Sequence, residues 1–158
     1  MSGEADRVHG TAVAVGNRAV LLRGPSGSGK SDLAFRCLGL GVSPLVPDPV
    51  KLVSDDQVIL NQEGTALIAR APPTLFGKIE VRGVGILEVD AVPQAELVLI
   101  ADLVNEGAIE RYPDPWPVAR IKNFDVPLLR VRPFEGSSAL KLVTAIRMAP
   151  LPRAPSKA

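Results

Sequence analysis

The segment Gly24 to Ser31, in the context RGPSGSGKSD, has the spacing G-x-x-x-x-G-K-S. No other stretch of the chain constrains the fold as much, because this pattern works only as a tight turn between a strand and a helix. The glycines let successive backbone N–H groups turn inward, and the start of the helix adds positive potential; Gly24, Pro25, Ser26, Gly27, Ser28 and Gly29 thus form a cradle for phosphates. Lys30 reaches the outer phosphates, and the Ser31 hydroxyl is placed to hold Mg²⁺. The flanks agree with this reading. Upstream, TAVAV (11–15) and RAVLL (18–22) surround Gly16-Asn17, which predicts a hairpin whose second strand feeds the loop. Downstream, SDLAFRCLGLG sets Leu33 with Cys37 and Ala34 with Leu38 at helical spacing, then stops at Gly39 and Gly41.

Strand patterns dominate the rest of the chain. Three prolines in residues 42–49 predict a loop, and VKLVSDD (50–56) predicts a buried strand that ends in paired acids. QVIL, a turn at NQEG and TALIAR (65–70) predict adjacent strands, while KIEVRGVGILEV (78–89) predicts a strand or a pair of strands with a bend or close approach at Gly83 and Gly85. AELVLIADLV (95–104) is apolar enough for a central strand, and residues 105–117 predict a polar, proline-rich surface loop. After two short runs, VARIKNF and VPLLRVR, the segment GSSALKLVTAIRM predicts a closing helix capped by Ser137 or Ser138. One domain over 1–149 is expected, with a disordered tail over 150–158.

Composition narrows the classes of partner. A net charge of +1 gives no pull toward nucleic acid or anionic membranes, and 4 % aromatic residues leaves little for stacking on single strands. Cys37 is the single cysteine, no apolar run is long enough for a membrane span, and no secretory signal is evident, so a cytoplasmic protein is expected.

Asp55 and Asp56 follow the apolar run KLV, which puts two carboxylates at the carboxyl end of a strand, where α/β sheets bind ligands. One acid can assist Mg²⁺ while its neighbour takes a proton from an attacking hydroxyl; a plain polar strand end has the same pattern. The order His9-Gly10, GPSGSGKSD, LVSDD and IEVRGVGIL resembles the catalytic domain of HPr kinase/phosphorylase, enzymes that phosphorylate a serine of the phosphocarrier HPr. The resemblance covers about residues 8–148, and IEVRGVGI at its place downstream of SDD makes it specific.

The resemblance implies an α/β, P-loop-containing fold of the phosphoenolpyruvate-carboxykinase-like type, a mixed sheet with flanking helices. It implies ATP and Mg²⁺ as cofactors, an HPr-like protein as acceptor, and assembly into hexamers. Among residues, it implies Lys30 and Ser31 for nucleotide and metal, Asp56 as the acid/base, and His9 as its support. Asp55 and Glu80 would complete the Mg²⁺ site with Ser31, Arg82 would lie beside Glu80, and Arg111 corresponds to a catalytic arginine on the polar loop. Tyr112 and Trp116 on that loop are either partner contacts or loop anchors. The chain also departs from the family pattern. The His-containing segment begins at once, with no separate N-terminal domain before it; GVSPLVPDPVK is a long proline-rich link; and VRPFEGSSA (131–139) stands where many members carry a glycine-arginine stretch tied to phosphorolysis, so that Glu135 counts against the phosphorylase direction. Two rival readings are a small-molecule kinase, for which residues 50–104 offer no helical lid, and a nucleotide-sensing module without turnover, against which the set His9, Lys30, Ser31, Asp56 and Glu80 argues.

Overall fold

A hairpin delivers the chain into the phosphate-type loop. In the computed structural model, which describes residues 5–154, β2 (Thr11–Val15) pairs antiparallel with β3 (Arg18–Arg23), and Val15 faces Arg18 across a two-residue turn. After the loop comes α1 (Lys30–Leu38), which buries Leu33, Ala34 and Cys37; the amide of Gly39 closes it on the carbonyls of Phe35 and Arg36. Ahead of this hairpin runs a strand that the sequence pattern did not announce, β1 (Asp6–His9), so that His9 ends a strand rather than preceding the first one.

The next strands build outward on both sides. β4 (Val50–Ser54) pairs with β2; β5 (Gln57–Glu63) pairs with β1 and with β6 (Ala66–Arg70). β5 continues through Asn61–Glu63, and the reversal expected at NQEG falls on Gly64-Thr65 instead. After a short 3₁₀ turn at Pro73–Leu75, β7 (Lys78–Val81) and β8 (Gly85–Glu88) form a separate two-stranded hairpin. Nothing approaches Gly83 or Gly85, so they serve the bend and not a close contact.

The centre is β9 (Ala95–Leu103). One edge pairs parallel with β3; the other edge is shared, its start by β6 and its end by β11 (Phe124–Val131), which carries β10 (Val118–Ile121) beside it. The turn between β10 and β11 puts Lys122 and Asn123 at φ 48° and 70°, the two positive values of a type I′ hairpin. The result is a nine-stranded mixed sheet with α2 (Ser138–Met148) returning beside α1.

Strand alternation divides the apolar side chains into two cores. Val13, Val15, Val20 and Leu22 meet Leu33, Cys37, Leu142 and Ile146 of the two helices. On the opposite face Ala12, Ala14 and Leu21 meet Val58, Leu60, Leu97, Phe124 and Val126, all from strands, so the sheet curls around its own second core. Two bulges adjust this pattern. In β9 the register passes from Ala19↔Leu97 to Val20↔Leu99, which leaves Val98 as the extra residue and turns Val98 and Leu99 both toward the helices. In β4 it passes from Val13↔Leu52 to Ala12↔Ser54 around Val53, immediately before Asp55 and Asp56.

The closing helix has one of its two expected caps in place. Ser137 holds the cap position without a side-chain capping bond, while the Ser138 hydroxyl accepts from the Glu135 amide and donates to the Arg132 carbonyl, fixing the turn before the helix. Of the tail expected to be disordered over 150–158, residues 150–154 are described. There Arg153 exchanges both backbone hydrogen bonds with Asp125; residues 155–158 lie outside the described residues. No helix among the described residues is long and apolar enough to cross a membrane.

Candidate active site

The loop 24–29 leaves β3 and ends at the first turn of α1, whose amides have no partner further up the helix and point to whatever sits before them. Lys30 is buried. Its ammonium donates to the carbonyls of Gly24 (2.6 Å) and Pro25 (3.0 Å), which ties the loop to itself. Burial pushes the Lys30 ammonium below its ordinary pKa, and the charges of Asp56 and then Asp55 offset part of that push. Gly29 has φ 101°, which demands glycine, and a Cβ placed there would sit 2.9 Å from Cζ of Phe134 and push that exposed ring aside.

The two adjacent acids have opposite surroundings. Asp55 is 7 % exposed; one carboxylate oxygen accepts from the hydroxyls of Ser31 (2.6 Å) and Thr11 (2.9 Å), and the other from the backbone N–H of Glu80 (3.1 Å). It therefore joins α1, β2 and β7 at one point. Asp56 takes φ 71° and turns outward, its side chain 67 % exposed and its Oδ1 3.3 Å from Nε2 of His9. The Asp56 carbonyl accepts from the Gly10 amide (3.0 Å), and a Cβ on Gly10 would strike Leu21 and the Leu22 carbonyl at 2.8 Å. Glycine at position 10 thus lets the His9 strand end press close enough to bring the imidazole to Asp56.

These groups open into one cleft of about 450 Å³. Ser26, Gly27, Gly29, Lys30 and Ser31 line one wall; His9, Thr11, Asp56, Glu80 and Arg82 also line it. Lining Asp32, Phe35, Val81 and Phe134 complete it, and Asp32 is paired along α1 with Arg36 at 3.0 Å. The donors suited to a hard cation are the Ser31 hydroxyl, Asp55 and Glu80. No cluster of three His, Cys, Asp or Glu side chains positioned to hold a metal occurs among the described residues. Hydroxyl and carboxylate oxygens are the hard donors that Mg²⁺ takes beside water and substrate phosphate.

Arg23, the last residue of β3, and Asp102, opposite it near the end of β9, form a two-pronged ion pair at 2.7 and 3.0 Å. The Asp102 carboxylate raises the Arg23 pKa further above its ordinary value.

A profile for the HPr serine kinase C-terminal domain matches residues 2–149. The chain belongs to that family. Among curated relatives, HPr kinase/phosphorylase of Mycoplasmopsis pulmonis is 28 % identical over 150 residues, 88 % of this chain and 46 % of the relative. The enzyme of the same designation from Clostridium acetobutylicum is 31 % identical over 114 residues, 72 % of this chain and 34 % of the relative. The chain therefore spans less than half the length of these relatives. A solved HPr(Ser) kinase/phosphatase from Coxiella burnetii superposes with TM-score 0.73 at 24 % identity, covering 90 % of this chain and 88 % of that one, and so shares the mixed α/β fold with its curled sheet.

The structure brings His9, Lys30, Ser31, Asp55, Asp56, Glu80 and Arg82 to the cleft or its wall. It does not bring Arg111 there: that residue is exposed on the 105–117 loop and does not line the cleft, and its neighbour Glu110 pairs with Arg130 at 3.5 Å. On the same loop Tyr112 is exposed, whereas Trp116 packs on the helix-side core as an anchor. Glu135 also stays off the cleft and pairs with Lys141 at 3.2 Å, so its charge does not face the space where phosphate would sit; Phe134 does. Five cleft residues, Thr11, Asp32, Phe35, Val81 and Phe134, have no role assigned from the sequence. Thr11 is hidden in an apolar strand run, and Phe35 and Phe134 look like core residues until their exposure is known.

Proposed function

We propose that this domain transfers the terminal phosphoryl group of ATP to a serine hydroxyl of an HPr-like protein. The observation that carries the reading is the joining of Ser31 to buried Asp55 under the phosphate-type loop, with exposed Asp56 and His9 opening on the same cleft. Phosphoryl transfer asks the protein for alignment, charge neutralisation and one base rather than covalent chemistry. In this reading the loop amides and Lys30 bind the phosphates, and Asp56, reachable from solvent, accepts the proton of an incoming hydroxyl. His9 holds the Asp56 carboxylate in place. The new bond joins the acceptor oxygen to phosphorus, the bond to the bridging oxygen of ADP breaks, and the proton ends on Asp56. Bound Mg²⁺, held through Ser31 and Asp55 with Glu80 beside them, would neutralise charge on the phosphates. In the reverse direction an oxygen of inorganic phosphate would bond to the phosphoserine phosphorus, the bond to the serine oxygen would break with Asp56 returning its proton to that oxygen, and pyrophosphate would be the product.

The finer expectations belong to the same reading: a fold of the phosphoenolpyruvate-carboxykinase-like P-loop type, hexamer formation through this domain, and a cytoplasmic setting in keeping with a lone, buried thiol at Cys37. The test is transfer of label from ATP to purified HPr with and without Mg²⁺, beside an HPr whose acceptor serine is alanine. Label on wild-type HPr alone supports the proposal. ATP binding with no labelled HPr overturns it and favours the nucleotide-sensing module; label on metabolites but not HPr favours the small-molecule kinase.

A further inference from the structure

Two phenylalanines reach the cleft without belonging to either core. Phe134 is 65 % exposed and Phe35 38 % exposed, and both line the cleft with the phosphate-type loop. Exposure of so much aromatic surface costs free energy unless something covers it. Phe134 is also held in place. Arg36, already paired with Asp32, donates to the carbonyls of Pro133 and Glu135, and Ser138 links the Arg132 carbonyl to the Glu135 amide. The turn that presents the ring is thus tied on both sides, and the ring tip rests over Gly29. Phe35 lies one turn beyond Asp32 on α1, and Asp32 directly follows Ser31 of the loop. Asp56 and Glu80 come from the strand side of the cleft, whereas both rings come from α1 and the turn before α2, where the Asp32 carboxylate is paired with Arg36. A ligand with phosphates on the loop and a flat, apolar-faced end would use both parts.

We propose that Phe134, with Phe35, forms a nucleobase subsite that stacks on the base of the nucleotide. This rests on the nucleotide reading above and adds the part of the ligand recognised beyond its phosphates. A base stacks on an aromatic face whatever its hydrogen-bonding edge, so a phenylalanine-only subsite binds adenine and guanine nucleotides with similar strength. Gly29 is part of the device, since a Cβ there would displace the Phe134 ring.

The test is calorimetric titration of wild type, Phe134→Ala, Phe134→Leu and Phe134→Tyr with MgATP and, separately, with tripolyphosphate, which has phosphates and no base. Loss of one base stack corresponds to roughly a ten-fold or larger loss in affinity. Phe134→Ala and Phe134→Leu are expected to weaken MgATP by about that factor and leave tripolyphosphate unchanged, while Phe134→Tyr restores MgATP binding. Because the ring is exposed, circular dichroism is expected to match wild type in all variants. If wild type binds both ligands and Phe134→Ala weakens neither, or both equally, the base subsite is wrong and the phosphate reading stands. If Phe134→Ala leaves ATP binding intact but raises KM for the acceptor protein, the ring serves the acceptor and this proposal falls. If wild type binds neither ligand, the nucleotide reading itself fails and takes the subsite with it.

Discussion

Adjacent Asp55 and Asp56 are expected to respond to mutation in opposite ways. Removing the Asp55 carboxylate leaves the fully buried Thr11 hydroxyl without its acceptor, while half-buried Ser31 and the amide of exposed Glu80 can turn to water. At about 1–3 kcal/mol for a buried group left unpaired, Asp55→Ala should lower unfolding stability by about that amount. Asp56→Asn removes a charge from a side chain 67 % exposed, and its pairing with His9 is screened, so the stability change should stay within about 1 kcal/mol. Asparagine is the right probe because it tolerates the φ of 71° that Asp56 holds, which alanine would not. In phosphoryl transfer, however, Asp56→Asn should lose about 10²–10⁴-fold, the usual worth of a general base. Urea unfolding followed by circular dichroism, with the m-value checked for constancy, gives the first quantity, and labelled transfer to HPr the second. A stable Asp55→Ala, or an Asp56→Asn that unfolds easily or retains full activity, would refute the division of labour.

Gly29→Ala should weaken nucleotide binding at least ten-fold and destabilise by about 1–3 kcal/mol, since φ 101° opposes a side chain and a methyl group there pushes the Phe134 ring aside; titration with ATP and urea unfolding check it. Arg111→Ala should change transfer to HPr less than about three-fold, in contrast to Lys30→Ala, because Arg111 does not line the cleft; steady-state kinetics decide. Burial pushes the Cys37 thiol up to about 12, so the folded protein should resist thiol reagents at pH 8, and its stability should fall as pH rises from about 9 to about 12, where only the unfolded thiol ionises readily. Cys37→Ala should flatten that alkaline loss in pH-dependent unfolding.

What the sequence makes legible is what local chemistry decides. The hairpin 11–23, the loop and α1 follow one another without a long-range contact being needed to define them, and their punctuation by Gly16, Gly24 to Gly29 and Gly39 is visible in the chain. β1 was not visible because Asp6–His9 is short, largely exposed and stabilised by pairing with β5, some 50 residues away. The same distance hides its purpose. The family resemblance pairs His9 with Asp56, but spacing alone does not, because the contact forms only when Gly10 lets the strand end close on Asp56. Phe134 carries the point further: in sequence it is one apolar residue in a turn, and only the ties from Arg36 and Ser138 make it an exposed ring fixed beside the phosphate-type loop. Glu135, its neighbour, looked like the residue that would alter phosphate chemistry, yet it turns to Lys141. The chemical consequence of the departure at 134–135 therefore depends on which of the two side chains the turn directs into the cleft. Because the ring lines the cleft and the carboxylate pairs with Lys141, the departure is expected to act through the proposed base subsite and not through charge at the reacting phosphate. Exchanging Glu135 for Gln should accordingly leave the pyrophosphate-forming direction within about two-fold of wild type, as a surface charge change away from the cleft does.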